Sequence, residues 1–209
     1  MIPVRRFEDQ IQAYEKLPVE TGKILLYGSS FFAFWGYERA KQQWLAEGKL
    51  QVVNHGFGGA TVEELLYYYQ RLVLPYKPAA VVLRTGHKDV WNCTAQEAYF
   101  LTEILVNWLK NDFPGIRVIA LKCFDAPWAS EDFAKKLWQY NALLEQLARE
   151  DSHISLVDLN PFMYEEEKDI GTLRNFRDIF QADGLHLTDD AYGDMAKFLV
   201  PKIKKILDQ

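Results

Sequence analysis

Short apolar runs alternate along the chain with longer segments in which apolar residues recur at helical spacing. Five runs rich in Val, Ile and Leu predict β-strands at 23–27, 51–55, 79–84, 117–122 and 155–158. Because these runs are mainly apolar and do not alternate with polar residues, they are typical of parallel strands that are buried on both faces. The remaining periodic segments predict helices at about 6–16, 38–47, 62–73, 95–112, 131–150 and 189–207.

The alternation of strands and helices predicts an α/β fold. Strands joined by helices form crossover units, which gives three α/β/α layers around a doubly wound sheet of five parallel strands. Since no internal repeat, low-complexity tract or linker divides the 209 residues, we expect one domain over residues 1–209. In such sheets ligands bind beyond the carboxyl ends of the strands, so the residues that follow each strand are the first candidates for function.

The composition is that of an ordinary globular protein. It gives no indication of a nucleic-acid, membrane or metal partner. With 24 Lys and Arg against 29 Asp and Glu, the net charge is -5, so nucleic acid is not expected as a partner. No stretch reaches the roughly twenty apolar residues of a membrane span, and the charged N-terminus does not resemble a signal peptide. We therefore expect a cytoplasmic protein. No HExxH motif or Cys/His cluster calls for a metal, and no cofactor is predicted.

Glycines and polar residues follow three of the predicted strands and precede the last helix. They form Gly28-Ser29-Ser30 after the first strand, residues 56–61 (GFGGAT) after the second, residues 85–91 (TGHKDVW) after the third, and residues 182–193 (ADGLHLTDDAYG) before the last helix. The carboxyl ends of parallel strands lie along one edge of a sheet, so we expect these four segments to meet.

Asp183 and His186, in the last of these segments, suggest acid–base chemistry. Their spacing of three residues lets the carboxylate reach imidazole Nδ1, which fixes the tautomer and leaves Nε2 able to take a proton from a hydroxyl group. A serine at the end of the first strand supplies such a hydroxyl. Taken alone, this short motif favours the alternatives, a turn or capping role for Asp183 and a satisfied, partly buried His186.

Together, the four segments resemble the motif blocks of the SGNH/GDSL hydrolase superfamily, in the family's order and over nearly all of the chain. The resemblance implies the family's flavodoxin-like fold. It assigns Ser30 to the nucleophile position, with Ser29 where many members have Asp, and it implies that His186 is the base and Asp183 its partner. The structural alternative is that both serines cap the helix that begins near Phe31.

The family's oxyanion hole combines the N–H of the nucleophile, here Ser30, with a glycine N–H and an asparagine side chain. Gly59 matches the glycine, and Gly58 is the alternative if the register is shifted by one residue. Lys88 fills the Asn position, which departs from the family pattern. A lysine directed into the hole can stabilise the oxyanion by its charge, whereas one directed to solvent leaves one donor missing, at a cost of about 10²–10³ in turnover.

On this resemblance we expect a serine esterase that hydrolyses short-chain acyl or acetyl esters through an acyl-serine intermediate, with a small-molecule ester as its partner. Two alternatives stay open. One is a deacetylase of carbohydrate O-acetyl esters, and the other is a non-catalytic binding protein of the same fold, which the replacement of the Asn by Lys88 would favour. Aromatic residues make up 14% of the chain, so a homodimer formed through exposed rings also stays open.

Overall fold

One parallel sheet organises the computed structural model, which describes residues 4–165 and 175–209 of the protein. The strands are β1 Ile24–Gly28, β2 Val52–Gly56, β3 Ala80–Arg84, β4 Arg117–Leu121 and β5 Ile154–Val157. Their order across the sheet is β2-β1-β3-β4-β5, the flavodoxin-like arrangement. The predicted α/β fold is thereby confirmed, and each strand lies within one residue of its predicted bounds.

Helices connect the strands and flank the sheet. In the described ranges they are α1 Glu8–Glu15, α2 Ser30–Trp35, α3 Tyr37–Gly48, α4 Val62–Leu72, α5 Asp89–Asn92, α6 Ala95–Asp112, α7 Glu131–Glu150, α8 Asn160–Met163 and α9 Asp189–Leu207. Short 3₁₀ helices cover Val4–Phe7 and Leu74–Tyr76.

Local capping explains why α6, α7 and α9 have the bounds that the sequence predicts. The side chains of Thr94, Ser130 and Thr188 each accept a hydrogen bond from the N–H three residues further on. These bonds satisfy one of the donors that the first helical turn leaves unpaired. The signal is local, so it can be read without knowledge of the fold.

Several helical segments differ from the prediction, among them the short α5 and the 3₁₀ helix Leu74–Tyr76, which lie outside the predicted helices. The helix expected at 6–16 is divided into the 3₁₀ helix Val4–Phe7 and α1, because Phe7 lies at the junction and has no polar side chain to cap α1. The short α8 lies in a segment without a predicted helix. Pro161 stands in its first turn, where its fixed φ is compatible with a helix start.

The core consists of two apolar layers on opposite faces of the sheet. Ile24 and Leu26 of β1 face one layer, which also contains buried residues of α2, α3, α8 and α9. Leu25 and Tyr27 face the other, which also contains buried residues of α1, α4, α6 and α7. Full burial of each such side chain stabilises the fold by about 1.5–3 kcal/mol. Helices thus cover both faces of the sheet, and the carboxyl ends of the strands remain available for a site.

None of the helices in the described ranges combines the length and the apolar character that a membrane span requires.

Candidate active site

Two cavities lie at the carboxyl-terminal edge of the sheet and share the lining residues Ser29, Ser30, His87, Leu185 and His186. The smaller one, called the small lobe, has a volume of about 30 Å³ and is completed by Phe31, Arg84, Phe124, Leu187 and Tyr192. The other, called the large lobe, has a volume of about 360 Å³ and is completed by Phe34, Gly58, Gly59, Lys88 and Trp91. Residues from all four predicted segments therefore surround one cleft.

Ser30 is the first residue of α2, directly after β1, and buried contacts hold this helix against β2. The Asn54 side chain donates hydrogen bonds to the carbonyls of Phe32 (2.8 Å) and Gly36 (3.2 Å) and accepts one from the Gly56 N–H (3.1 Å). A Cβ atom on Gly56 would overlap Phe32, so only glycine allows α2 to approach this closely. These contacts fix the position from which Ser30 lines both lobes.

The alternative role of the two serines as helix caps has limited support. Ser29 occupies the position before α2, and its carbonyl accepts the N–H groups of Phe32 and Ala33, as expected at a helix start. Within the described residues, however, the Ser29 side chain caps none of these N–H groups. Both hydroxyls are consequently left at the cleft, where Ser29 and Ser30 line each lobe.

His186 and Asp183 are hydrogen-bonded to each other. Asp183 Oδ2 lies 2.6 Å from His186 Nδ1, while Oδ1 accepts the N–H groups of Leu185 (2.9 Å) and His186 (3.0 Å). Partial burial raises the pKa of Asp183, but these hydrogen bonds outweigh it and lower the pKa to about 2. The ionised carboxylate favours a proton on Nδ1, which leaves Nε2 as the proton acceptor.

The ring of Phe34 packs on His186 at 4.4 Å between ring centroids. This contact restricts the imidazole from its outer side, whereas Asp183 restricts it from Nδ1. The two together hold the ring in the cleft that Ser30 also lines.

The loop that carries Gly58 and Gly59 is anchored from the N-terminal end of the chain. Gly59 has a φ of +78°, which favours glycine, and its carbonyl accepts a hydrogen bond of 2.7 Å from Arg6. Arg6 also pairs with buried Glu64 at 2.6 Å, and Glu64 accepts the Thr61 N–H in the capping box of α4. Burial raises the pKa of Glu64, but the hydrogen bonds from Arg6 and Thr61 outweigh it, so the pKa is lowered.

Lys88 lines the large lobe together with Ser30 and Gly59. Its Nζ lies 4.3 Å from the ring centroid of Trp91, a cation–π contact, and Trp91 stacks on Trp128. The sequence left open whether this side chain is directed into the oxyanion hole or to solvent. In the structure it lies along the wall of the large lobe. The Lys88 ammonium thus contacts the half-exposed ring of Trp91, and its side chain contributes to the lining of the large lobe.

Asp89 connects the loop of Lys88 to the start of α4. Its Oδ1 accepts the Val62 N–H at 2.7 Å and its Oδ2 accepts the Gly86 N–H at 3.2 Å. Burial raises the pKa of Asp89 to about 6 despite these two bonds. The carboxyl thus ties together the two loops that carry the candidate oxyanion donors.

Two further residues of the cleft, Arg84 and His87, are absent from the sequence-based set. Arg84 ends β3 and is buried, and His87 lines both lobes with its Nε2 buried and without a partner among the described residues. Burial, with the charge of Arg84, lowers the pKa of His87 to about 3, so the ring is neutral. The signal for Arg84 was present in the sequence, because it is the one charged residue of the apolar run at 79–84.

In the part of the chain that the structure describes, no group of three or more His, Cys, Asp or Glu side chains is arranged to hold a metal ion.

The chain is similar to known proteins both in sequence and in structure. The sequence model of the GDSL-like lipase/acylhydrolase family matches residues 26–193, which include all four motif segments. A search of curated proteins found no significant match.

Solved structures share the fold at low sequence identity. A GDSL-like lipase from Bacteroides thetaiotaomicron is 20% identical, with a TM-score of 0.73 and 97% of each chain covered. A Streptococcus pneumonia protein provisionally described as a platelet activating factor is 17% identical, with a TM-score of 0.76 over 95% of this chain and 92% of the other. An acetylxylan esterase from Geobacillus stearothermophilus is 20% identical, with a TM-score of 0.67 over 90% and 96%. At such identities the likeness establishes the fold alone.

Proposed function

This chain belongs to the GDSL-like lipase/acylhydrolase family, and on that premise we propose that it is a serine esterase acting through an acyl-serine intermediate. One observation carries the proposal. Ser30 and His186 line the same two lobes, and His186 is hydrogen-bonded through Nδ1 to an ionised Asp183. A hydroxyl, an imidazole and an orienting carboxylate are the three groups that acyl transfer by serine requires.

In each half of the proposed reaction, His186 takes up one proton and then releases it. His186 Nε2 takes the proton of Ser30 Oγ as Oγ attacks the ester carbonyl, and the resulting imidazolium is stabilised by Asp183. Collapse of the tetrahedral intermediate expels the alcohol, which receives that proton. Water then attacks the acyl-serine with His186 as base, releasing the carboxylic acid and restoring Ser30. Acid–base catalysis of this kind contributes about 10²–10⁴ to the rate.

The oxyanion of the intermediate needs donors directed at the former carbonyl oxygen. We assign this role to the N–H groups of Ser30 and Gly59 and to the ammonium of Lys88, with Gly58 as the alternative glycine. Support comes from the lining of the large lobe, which includes all four residues. Each such donor contributes about 10²–10³ to turnover.

The sizes of the lobes suggest how an ester would lie. The small lobe of about 30 Å³ has room for an acyl group of only a few atoms, since a single water already needs roughly 10–15 Å³ by this kind of measure. The large lobe of about 360 Å³ suits the alcohol part. We therefore propose short acyl esters as substrates.

Deacetylation of a carbohydrate is the second candidate. It is favoured by the large lobe, whose size accommodates a sugar unit and whose rim carries the half-exposed ring of Trp91. It uses the same chemistry, so a screen of acetylated sugars against simple acetyl esters distinguishes the two. A preference of at least tenfold in kcat/KM for an acetylated sugar would favour this candidate.

The proposed nucleophile is tested by 4-nitrophenyl acetate hydrolysis and by intact-mass labelling with a fluorophosphonate. Ser30→Ala should lower kcat by at least 10³ and abolish labelling, because the attacking oxygen is removed. Ser29→Ala is the matched control, since it removes the neighbouring hydroxyl from the same cleft and should leave labelling intact. Full activity in Ser30→Ala, or a label on another residue, would contradict the proposal. Absence of any hydrolysis that depends on Ser30 would favour the non-catalytic binding protein.

A further inference from the structure

We propose that the small lobe binds a negatively charged acyl group, so that the preferred substrates are half-esters of short dicarboxylic acids. Arg84 and His87 would bind the free carboxylate while Ser30 attacks the ester carbonyl at the other end of the acyl group. The substrate class rests on the proposed esterase function, whereas the anion site itself rests on the geometry of the lobe.

Arg84 is a buried cation that pairs with no carboxylate of residues 4–165 and 175–209. Only 3% of the residue is exposed, and no ion pair to it is found among the described residues. Its Nη1 lies 2.9 Å from Cys123 Sγ and 3.5 Å from the Thr85 carbonyl, and its Nε has no hydrogen-bond partner in the described chain. Burial of an unpaired charge is unfavourable, so such a group indicates a missing anion.

Three other arginines of the protein form ion pairs with carboxylates. Arg6 pairs with Glu64, Arg39 pairs with Asp189, and Arg71 pairs with two glutamates, although all three arginines are more exposed than Arg84. The guanidinium of Arg84 instead lies 4.9 Å from the ring centroid of Phe124. A cation–π contact offsets part of the desolvation but satisfies none of the in-plane N–H donors.

His87 is a second polar side chain in the lining of the same lobe. Its Nε2 is buried without a hydrogen-bond partner in the described residues, and its low pKa keeps the ring neutral. A neutral imidazole carries one N–H donor and adds no second charge beside Arg84. The lobe therefore combines one fixed positive charge with one neutral donor.

The rest of the described lining contains no acidic side chain to neutralise this charge. Besides Arg84 and His87, it consists of the two serines, His186 and five apolar or aromatic residues: Phe31, Phe124, Leu185, Leu187 and Tyr192. The hydroxyl of Tyr192 is already engaged, since it donates to the Phe31 carbonyl at 2.9 Å. A methyl group in this lobe would leave Arg84 and His87 unpaired, whereas a carboxylate can accept from both.

The volume of the lobe limits the length of the acyl group. About 30 Å³ accommodates a group of the size of a carboxylate but no extended chain. The carboxylate must therefore be joined to the ester carbonyl directly or through one methylene, as in half-esters of the oxalic or malonic type.

The test compares two ethyl esters of nearly identical shape, monoethyl malonate and ethyl 3-methylbutanoate, with ethanol release as the readout. Wild-type kcat/KM should be at least tenfold higher for monoethyl malonate. Arg84→Met should lower kcat/KM for monoethyl malonate by at least 100-fold and lower the ratio of kcat/KM for the two esters at least tenfold, which removes the preference. Arg149→Met removes an exposed arginine of α7 that lines neither lobe and should leave the wild-type ratio unchanged.

A wild-type preference for the neutral ester, or a ratio that survives Arg84→Met, would overturn the proposal. If Arg84→Met fails to fold, the wild-type ratio decides alone. If the wild type hydrolyses no ester, the esterase function fails, and calorimetry with the Ser30→Ala protein then tests the anion site by itself. Binding of monoethyl malonate that is at least tenfold weaker after adding Arg84→Met upholds the site, and absence of binding refutes it.

Discussion

Lys88 replaces a short neutral amide with a long cationic side chain at the third candidate oxyanion donor. An asparagine at this position offers one fixed N–H, whereas an ammonium offers three donors and a full charge on a flexible stem. The contact of Nζ with the Trp91 ring, at 4.3 Å, restrains that stem within the large lobe. At the scale of the single residue, we propose that the departure from the family pattern changes the type of oxyanion stabilisation from a neutral amide to a charge.

Replacing this charge should slow the chemical step. We expect Lys88→Met to lower kcat for 4-nitrophenyl acetate at least tenfold, because a donor to the oxyanion is lost, and to change KM less. Lys88→Asn, which restores the family residue, should recover part of kcat. Lys197→Met is the matched control, since Lys197 pairs with Asp194 on an exposed part of α9. An unchanged kcat in Lys88→Met would show that the ammonium takes no part in oxyanion stabilisation.

At the scale of elements, the site depends on a contact between the first helical turn of the chain and the loop after β2. Arg6 belongs to the 3₁₀ helix Val4–Phe7 and bonds to both the Gly59 carbonyl and Glu64 of α4. The sequence indicated Gly59 through its motif, but it contained no sign that Arg6 holds it. The pairing depends on how α1 packs against α4, which is a matter of tertiary contact.

Loss of the Arg6 contact should therefore affect both stability and activity. Arg6→Ala should lower the free energy of unfolding by about 1–3 kcal/mol, because Glu64 is left buried without its cation, and lower kcat severalfold. Urea denaturation and ester hydrolysis measure the two effects. Arg5→Ala removes the neighbouring arginine, which is exposed and bonds only to Tyr67 in the described chain. This control should change neither the free energy of unfolding nor kcat.

The double variant Arg6→Ala with Glu64→Gln should regain part of the lost stability, since the uncompensated charge is removed. A kcat that stays at the wild-type value in Arg6→Ala would show that the Gly59 loop does not need this anchor.

At the scale of the whole molecule, a buried histidine couples the fold to pH. His55 of β2 is fully buried, its Nδ1 donates to the Leu72 carbonyl at 2.7 Å, and its ring lies against Tyr76. Burial lowers the pKa of His55 to about 4, which the bond to Leu72 only partly offsets. The unfolded chain takes up this proton near pH 6.5, well before the folded protein does.

The lower pKa of His55 in the folded state sets the direction in which stability changes with pH. Because the unfolded state binds more protons between pH 6.5 and 4, stability is lost as the pH falls through this window, by up to about 3 kcal/mol from His55. Relative to His55→Gln, the wild type should therefore lose stability between pH 7 and 4.5 in urea titrations. Asp89, with its raised pKa, acts in the opposite direction in both proteins and cancels from the comparison.

His153→Gln is the control for this measurement, because His153 is a surface residue whose side chain is 40% exposed. It should follow the wild-type pH dependence closely. Parallel curves for the wild type and His55→Gln would contradict the assignment of this pH dependence to His55.

What the sequence determined by itself is local. Apolar runs placed every strand within one residue, helical periodicity placed the starts of α6, α7 and α9, and a three-residue spacing predicted the contact of Asp183 with His186. Each of these signals depends on neighbours within one or two turns of chain, so periodicity and spacing are sufficient to read it.

Only the tertiary structure decided which distant residues share an environment. It brought Ser30 and His186 into one cleft from opposite ends of the chain, buried Arg84 at the end of β3, and placed Arg6 on the Gly59 carbonyl. An amphipathic pattern predicts which face of a helix or strand is buried, but it does not predict which residues contact that face. The partners of a buried charge are therefore set by packing, and only the packing showed that the cation of this cleft has no carboxylate partner in the part of the chain that the structure describes.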